Sequence, residues 1–157
     1  TQDLSNVGVS IWLDDLSRSR LTSGNLKNLI TERNVVGVTT NPTIFQGAIS
    51  GGDGYETAIA EAKKQGLTAT EAIFALTTQD VADACDVFTE VFDNTDGKDG
   101  RVSIEVEPGL ADDAAGTVAQ AKELWETVNK PNAMIKIPAS VWPPPPNAEL
   151  KSDCVSL

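Results

Sequence analysis

Hydrophobic and polar positions follow two different periods along the chain. Four short stretches alternate apolar side chains with other types, a two-residue period that is typical of strands. They cover residues 9–14, 35–39, 101–107 and 133–138. Between them, apolar residues recur every three or four positions, which predicts amphipathic helices. Strands that alternate with helices favour parallel βα units joined by right-handed crossovers.

The first two helices are bounded by residues that commonly start or stop helices. Thr22 or Ser23 is predicted to cap a helix with an apolar face, and Asn34 is predicted to end it in the left-handed conformation. A glycine-rich loop over residues 47–54 precedes another helix, which Gly66 is predicted to end. One helix therefore lies on each side of the second strand.

Further helical signals fill the rest of the chain up to the fourth strand. Thr68 begins a Thr-x-x-Glu capping pattern that predicts a short helix. The apolar stripe over residues 81–92 predicts a separate, longer helix. Cys85 lies on this stripe, so we expect it to pack in the core. A last amphipathic helix is predicted within residues 114–128.

The order of elements leaves two α/β architectures open, a doubly wound sheet and a (βα)8 barrel. No glycine fingerprint begins the first helix, which counts against a dinucleotide-binding sheet. A whole barrel needs about 250 residues, whereas this chain supplies four βα periods. We therefore predict an α/β fold of parallel βα units, about half of a TIM-type barrel, over residues 1–140. Four prolines, Pro143 to Pro146, mark a divergent tail over residues 141–157.

Composition narrows the class of partner. The 157 residues are 40% apolar and 22% charged, which is typical of a globular domain. A net charge of −11 repels phosphate backbones and anionic lipids, so we expect no role at nucleic acids or membranes. The first residues show no basic start or apolar signal core, and no apolar run approaches the ~18 residues of a membrane span. We expect a cytoplasmic protein.

The residue types that are missing or isolated limit the chemistry. The sequence has no histidine, which excludes serine-histidine and cysteine-histidine nucleophilic sites. Cys85 and Cys154 have no second cysteine nearby to form a zinc-ligand pair. The acidic loop over residues 93–100 suggests calcium, but Ile104 stands where an EF-hand needs its glutamate, so we expect a solvated turn. Lys, Asp, Glu, Ser, Thr and Tyr remain as chemical groups.

Side chains alternate across a strand, so the residues of each strand can be sorted onto two faces. One face is aliphatic and suits packing against helices. The other face carries Asp14 on the first strand, Glu105 on the third and Lys136 on the fourth, and we expect these groups to converge. Lys136 lies inside an apolar strand, where burial favours the neutral amine that attacks carbonyl groups. A structural ion pair of Lys136 with Glu105 or Asp14 is the alternative.

Five stretches resemble the bacterial transaldolase family, in order and in register, from about residue 7 to residue 139. The motifs Thr-Thr-Asn-Pro and Ile-Lys-Ile-Pro-Ala are highly specific within this resemblance. The five stretches are Ile11-Trp-Leu-Asp-Asp-Leu-Ser-Arg18, Ser23-Gly-Asn-Leu26, Val36-Gly-Val-Thr-Thr-Asn-Pro-Thr-Ile-Phe45, Asp99-Gly-Arg-Val-Ser-Ile-Glu105 and Ile135-Lys-Ile-Pro-Ala139.

The resemblance implies an enzyme of the pentose phosphate pathway that transfers a dihydroxyacetone unit between sugar phosphates. Lys136 matches the family's Schiff-base lysine, and Glu105 matches its strand-three glutamate. Asp14 matches its strand-one aspartate, with Asp15 as the less favoured candidate. The implied mechanism needs no metal or organic cofactor, because the imine itself is the electron sink.

The resemblance also implies where the substrate binds. Asn41 matches the family's strand-two asparagine, and Thr39 lies beside it on the same strand face. The sequence shows no obvious cationic clamp for a substrate phosphate. Arg18 and Arg20 follow the first strand, but we expect both to be solvated surface residues.

The family pattern stops after Ala139, which suggests a premature end or a shifted reading frame. Three functions stay open: a transaldolase, a related imine aldolase that releases its three-carbon product, and a non-catalytic fragment that acts by assembly. Half a barrel would also leave two strand edges open. Pairing of two copies could close those edges, so self-association is a further expectation.

Overall fold

The computed structural model describes residues 1–41, 47, 49–52 and 54–137. The proline-rich tail predicted over residues 141–157 lies outside the described residues, and its boundary stays a prediction. Numbered along the chain, the elements are α1 (Gln2–Asn6), β1 (Ile11–Leu13), α2 (Arg18–Thr22), α3 (Asn25–Arg33), β2 (Val35–Thr39), α4 (Glu56–Lys64), α5 (Ala69–Asn94), β3 (Arg101–Glu105), a 3-10 turn (Pro108–Leu110), α6 (Ala114–Val128) and β4 (Ala133–Lys136).

The strands form one parallel sheet in which the spatial order, β1-β2-β3-β4, is also the order along the chain. Helices connect each strand to the next, so the sheet is built from successive parallel βα units. This arrangement confirms the predicted α/β fold and corresponds to part of a TIM-type barrel. β1 and β4 are the edges of the described sheet, and pairing with a second copy there stays a prediction.

The first strand is shorter than its sequence pattern predicts. β1 begins at Ile11 rather than at Val9, because the backbone N–H of Val9 donates to the carbonyl of Leu4 in the turn after α1. The short helix α2 was not predicted. The residue that precedes α3 is Gly24, with φ of 75°, rather than Thr22 or Ser23.

The two helices predicted between residues 68 and 92 are one continuous helix, α5, of 26 residues. The sequence between its two predicted parts holds no glycine or proline that would break a helix. The hydroxyls of Thr77 and Thr78 donate to the carbonyls of Ile73 and Phe74, four residues earlier, so these polar side chains are satisfied without interrupting the helix. Separate helices were therefore the wrong prediction.

The predicted capping box at the start of α5 is confirmed. The Thr68 hydroxyl oxygen accepts from the Glu71 backbone N–H at 3.3 Å, and the Glu71 carboxylate accepts from the Thr68 backbone N–H at 2.8 Å. The same carboxylate accepts from the Thr68 hydroxyl at 2.7 Å. These hydrogen bonds from Thr68 lower the pKa of Glu71 below its usual range.

Replacing Thr68 with alanine is expected to lower the free energy of unfolding by about 1 kcal/mol at neutral pH, the usual effect of removing an N-cap. A carboxyl group with a lowered folded-state pKa stabilises above its ordinary pKa and loses that effect as the pH falls through the lowered value. The difference between wild type and Thr68→Ala should therefore narrow below about pH 4. Urea unfolding at several pH values measures this difference in the free energy of unfolding. Thr57→Ala, an exposed change within α4, is the control, and an equal effect of both variants would contradict the capping role.

Helices cover one face of the sheet and bury its aliphatic side chains. Val38, Val102 and Ile104 are fully or almost fully buried there, in one cluster with Phe88 of α5. Cys85 belongs to the same cluster, and burial raises the pKa of its thiol to about 12. Its predicted role in core packing is confirmed. Among the described residues, no helix is both long and apolar enough to cross a membrane.

The corner between α5 and β3 is packed around Gly100. Its backbone N–H donates to the carbonyl of Val36 in β2 at 2.6 Å. The buried side chain of Asn132 donates from Nδ2 to the carbonyls of both Gly100 and Cys85, each at 2.9 Å. Gly100 has φ of 75°, and a Cβ there would collide with the backbone nitrogen of Phe92. Glycine is therefore required at this corner.

Candidate active site

The candidate site lies on the sheet face opposite the covering helices. The register pairs Glu105 of β3 with Lys136 of β4, and Thr39 of β2 with Ser103 of β3. Leu13 pairs with Val38, so Asp14 follows at the level of Thr39, at the carboxyl end of β1. The predicted groups thus lie on one face of the sheet, at the carboxyl ends of its strands, which is where parallel sheets of this class place their active sites.

Lys136 and Glu105 form the centre of this site. The Lys136 Nζ lies 2.8 Å from Glu105 Oε2 and donates to the carbonyl oxygen of Thr40 at 3.0 Å. The Glu105 side chain is 16% exposed and that of Lys136 is 37% exposed. The amine is therefore held between two oxygen acceptors, yet it is open to a molecule approaching from the solvent side.

Two hydroxyls extend the polar surface beside the lysine. Ser103 Oγ donates to Thr39 Oγ1 at 2.7 Å, and Thr39 Oγ1 in turn donates to the carbonyl of Thr40 at 3.3 Å. That carbonyl also accepts from Lys136, so the hydroxyl pair and the amine share one acceptor. Sequence reasoning named Thr39 but missed Ser103. Ser103 lies two residues before Glu105 on the same strand face, a spacing that would have revealed it.

The two aspartates after β1 differ in their surroundings. Asp14 is exposed at the end of the strand. Asp15 Oδ2 accepts from Arg20 at 2.6 and 3.2 Å, so its carboxylate is already paired. This difference supports Asp14 over Asp15 as the candidate. Asn41, the other predicted substrate-binding residue, is exposed just past β2.

Trp12 covers the part of this face nearer the amino ends of the strands. Its indole lies across Gly37 of β2, so that a Cβ at Gly37 would stand only 2.5 Å from Trp12 Cε2. Gly37 and Trp12 are register partners, and the missing side chain makes room for the ring. The indole is partly exposed and lies next to the polar groups, on the side of the amino ends of the strands.

Arg18 is bound within the protein, which corrects the prediction that it is a solvated surface residue. Its Nε and Nη2 donate to Asp80 Oδ1 of α5 at 2.8 and 2.6 Å, and its guanidinium stacks over the Tyr55 ring at 4.8 Å. Asp80 and Tyr55 are fully buried, and burial raises the pKa of both. Because Arg18 and Arg20 both pair with carboxylates, neither is a ready phosphate ligand.

A cavity of about 220 Å³ lies beside Glu105, between α5 and α6. Its walls include Ile73 and Phe74 of α5 and Leu124 of α6, and its charged groups are the carboxylates Glu105 and Glu107. This lining suits an apolar group and opposes a phosphate. In the described ranges, no cluster of three or more carboxylates or cysteines is arranged to hold a metal ion.

Comparisons with known proteins agree on one family. Residues 11–144 match the sequence model described as transaldolase/fructose-6-phosphate aldolase. A transaldolase of Arthrobacter sp. (strain FB24) is 60% identical over 141 residues, covering 90% of this chain and 38% of the relative. One from Kocuria rhizophila is 57% identical over 89% of this chain and 38% of the relative. Transaldolase 2 of Streptomyces coelicolor is 60% identical over 87% of this chain and 37% of the relative.

The comparisons also show how much of the family pattern is present. The chain spans less than two fifths of the length of these curated relatives. The family match nevertheless extends over most of the chain and contains Asp14, Glu105 and Lys136. The chain therefore belongs to the transaldolase/fructose-6-phosphate aldolase family.

Proposed function

We propose that the chain carries the imine-forming half of a transaldolase site, with Lys136 as the nucleophile. The observation that carries this proposal is the Lys136 side chain, whose Nζ lies 2.8 Å from the Glu105 carboxylate and which is 37% exposed. A purely structural ion pair has no need of a solvent-accessible amine. A nucleophile needs both an adjacent proton acceptor and access for its substrate.

In the proposed reaction, Glu105 takes a proton from the Lys136 ammonium, and the free amine attacks the C2 ketone of fructose 6-phosphate or sedoheptulose 7-phosphate. A proton then passes from the nitrogen to the former ketone oxygen, which gives the carbinolamine. Glu105 returns a proton to the carbinolamine hydroxyl, which leaves as water, and a protonated imine remains on Lys136. The imine nitrogen is then the electron sink for the next step. No metal or organic cofactor takes part in this scheme.

Asp14 is assigned the second proton transfer. Its carboxylate takes the proton of the C4 hydroxyl, the C3–C4 bond breaks, and the electron pair of that bond moves into the imine. An aldose phosphate leaves, and the three-carbon dihydroxyacetone unit stays on Lys136 as an enamine. Addition of this unit to a second aldose phosphate completes the transfer. Thr39 and Asn41 are assigned to hydroxyl groups of the bound sugar.

The finer features of this function follow from the family and from the composition. The substrates are sugar phosphates, and the reaction belongs to the pentose phosphate pathway in the cytoplasm. The second candidate is an aldolase that releases dihydroxyacetone instead of transferring it. The description of the matched family, which includes fructose-6-phosphate aldolase, favours keeping this candidate.

The test is borohydride reduction in the presence of fructose 6-phosphate, followed by intact mass measurement and peptide mapping. We expect a reduced adduct on the peptide that contains Lys136. Circular dichroism first establishes that the sample is folded. A folded chain that forms no adduct would contradict the imine function and leave a non-catalytic role.

Adding erythrose 4-phosphate separates the two enzymes. A transaldolase converts this acceptor to sedoheptulose 7-phosphate, whereas an aldolase releases dihydroxyacetone at a rate that the acceptor does not change. Both products are measured by mass spectrometry after the same incubation. Release without transfer would replace the transaldolase assignment by the aldolase.

A further inference from the structure

Asp14 begins a segment, residues 14–18, that few contacts with the sheet hold in place. β1 has three residues and lies at the edge of the described sheet, and its register with β2 shifts between Ile11 and Trp12. Asp14 comes directly after this strand, in a bend that leads to α2. A carboxylate that must meet one particular hydroxyl group needs a better-fixed backbone than a short edge strand supplies.

A buried cluster holds the other end of this segment. The Arg18 backbone N–H donates to the Tyr55 hydroxyl at 3.1 Å, and that hydroxyl donates to Asp80 Oδ2 at 2.6 Å. The Arg18 side chain donates twice to Asp80 Oδ1, and its guanidinium stacks on the Tyr55 ring. Arg18 is thus fixed through both its backbone and its side chain, four residues after Asp14.

The direction of each hydrogen bond depends on the carboxylate of Asp80. Because both oxygens of Asp80 accept, the Tyr55 hydroxyl must donate to it, which leaves a lone pair for the Arg18 backbone N–H. An asparagine at residue 80 would present one NH₂ group. That group would face either the guanidinium or the tyrosine hydroxyl, and one donor would lose its acceptor.

The segment has two acidic groups, of which Asp15 is held in an ion pair and Asp14 is exposed. Leu16 and Ser17 are buried, and Asp15 is paired with Arg20. Arg20 Nη1 also donates to Asn25 Oδ1 at the start of α3. These contacts hold the segment against the helices, and Asp14 lies on the opposite, exposed side.

We propose that Arg18, Tyr55 and Asp80 are positioning residues that set the place of the Asp14 carboxylate for breaking the C3–C4 bond. This inference rests on the proposed function. The cluster joins α2, the start of α4 and α5, whereas Lys136 and Glu105 lie on β4 and β3. Its loss should therefore slow bond cleavage while imine formation continues.

Borohydride trapping separates the two steps by mass. Reduction before cleavage leaves the whole six-carbon phosphorylated sugar on Lys136, whereas reduction after cleavage leaves three carbons and no phosphate. In wild type we expect the three-carbon adduct to dominate. In Asp80→Asn the ratio of six-carbon to three-carbon adduct should rise by at least about tenfold, since a displacement of about 1 Å can slow a reaction a hundredfold.

Two further variants keep the result interpretable. Tyr55→Phe removes the acceptor of the Arg18 N–H but leaves the ion pair of Arg18 with Asp80, so it should shift the adduct ratio in the same direction. This variant tests the inference even where Asp80→Asn folds poorly. Asp86→Asn makes the same substitution on the same helix, where the carboxylate pairs with Lys130, and should leave the ratio unchanged. A fall of both adducts in proportion to the folded fraction would indicate a merely structural role and overturn the inference.

Amide hydrogen exchange gives a readout that needs no substrate. Asp80→Asn and Tyr55→Phe should speed the exchange of the amides of residues 14–18, that of Arg18 above all, by at least about tenfold while β3 and β4 stay protected. Unchanged exchange, or an unchanged adduct ratio with normal trapping, would overturn the inference and leave the proposed function standing. No adduct on folded wild type would remove the proposed function and this inference with it.

Discussion

Replacing Lys136 with glutamine is expected to abolish the sugar adduct formed on borohydride reduction, a loss on the order of a thousandfold or more. An amide nitrogen has no lone pair available to attack a ketone, so no imine can form. Glutamine preserves the length of the side chain approximately and can still donate a hydrogen bond to Glu105 or to the carbonyl of Thr40. The change should therefore remove the chemistry while the sheet stays folded.

A matched change at a surface lysine tests whether the loss is specific. Lys64 makes an exposed ion pair with Glu61 on α4, far along the chain from the site, and Lys64→Gln should trap as much sugar as wild type. Intact mass and peptide mapping measure both variants. If Lys136→Gln still gave an adduct on another lysine, the assignment of the nucleophile would be wrong.

Replacing Gly100 with alanine is expected to lower the free energy of unfolding by about 4 kcal/mol. The backbone conformation at φ of 75° costs a residue with a Cβ roughly 1–3 kcal/mol. The new methyl group would also collide with the backbone of Phe92, and overpacking typically costs about 1–3 kcal/mol. A loss of this size is large beside the 5–15 kcal/mol that is typical of whole domains.

Two other glycines separate the strain from the collision. Gly66 also has a positive φ, of 76°, but a Cβ there meets no atom within 4 Å, so Gly66→Ala should show the strain alone. Gly109 has open space and no positive φ, and Gly109→Ala should change stability by less than about 0.5 kcal/mol. Urea unfolding ranks the three. Equal effects of Gly100→Ala and Gly66→Ala would show that the backbone around Phe92 moves to accommodate the methyl group, which would contradict the expected collision.

The fold was largely predictable because its strands and helix ends carry local signals. β2 has its predicted bounds, Val35–Thr39, since Asn34 ends the preceding helix with φ of 57°. The capping box at Thr68 was readable from two residues three positions apart. The continuity of α5 was not predictable in the same way. A threonine whose hydroxyl donates to a carbonyl four residues earlier in a helix looks the same in sequence as a solvated threonine at a helix break.

The candidate site was predictable only in part. Alternation along the strands placed Glu105 and Lys136 on one face, but the register that makes them direct neighbours is a property of the sheet. The bonds of Arg18 to Asp80 and Tyr55 join residues 62 and 37 positions apart, and no local pattern reports them. A lone arginine after a strand is ordinarily solvated, which explains the wrong prediction for Arg18.

The agreement between strand order and chain order has a consequence for biosynthesis. Each strand pairs with the strand made just before it, so no segment of the described sheet has to wait for one that is synthesised later. Chains grow from the amino end, and units can fold in that order as they leave the ribosome. In the described sheet the outer edge of β1 stays unpaired throughout, while the opposite unpaired edge moves forward with synthesis, from β2 to β3 and on to β4.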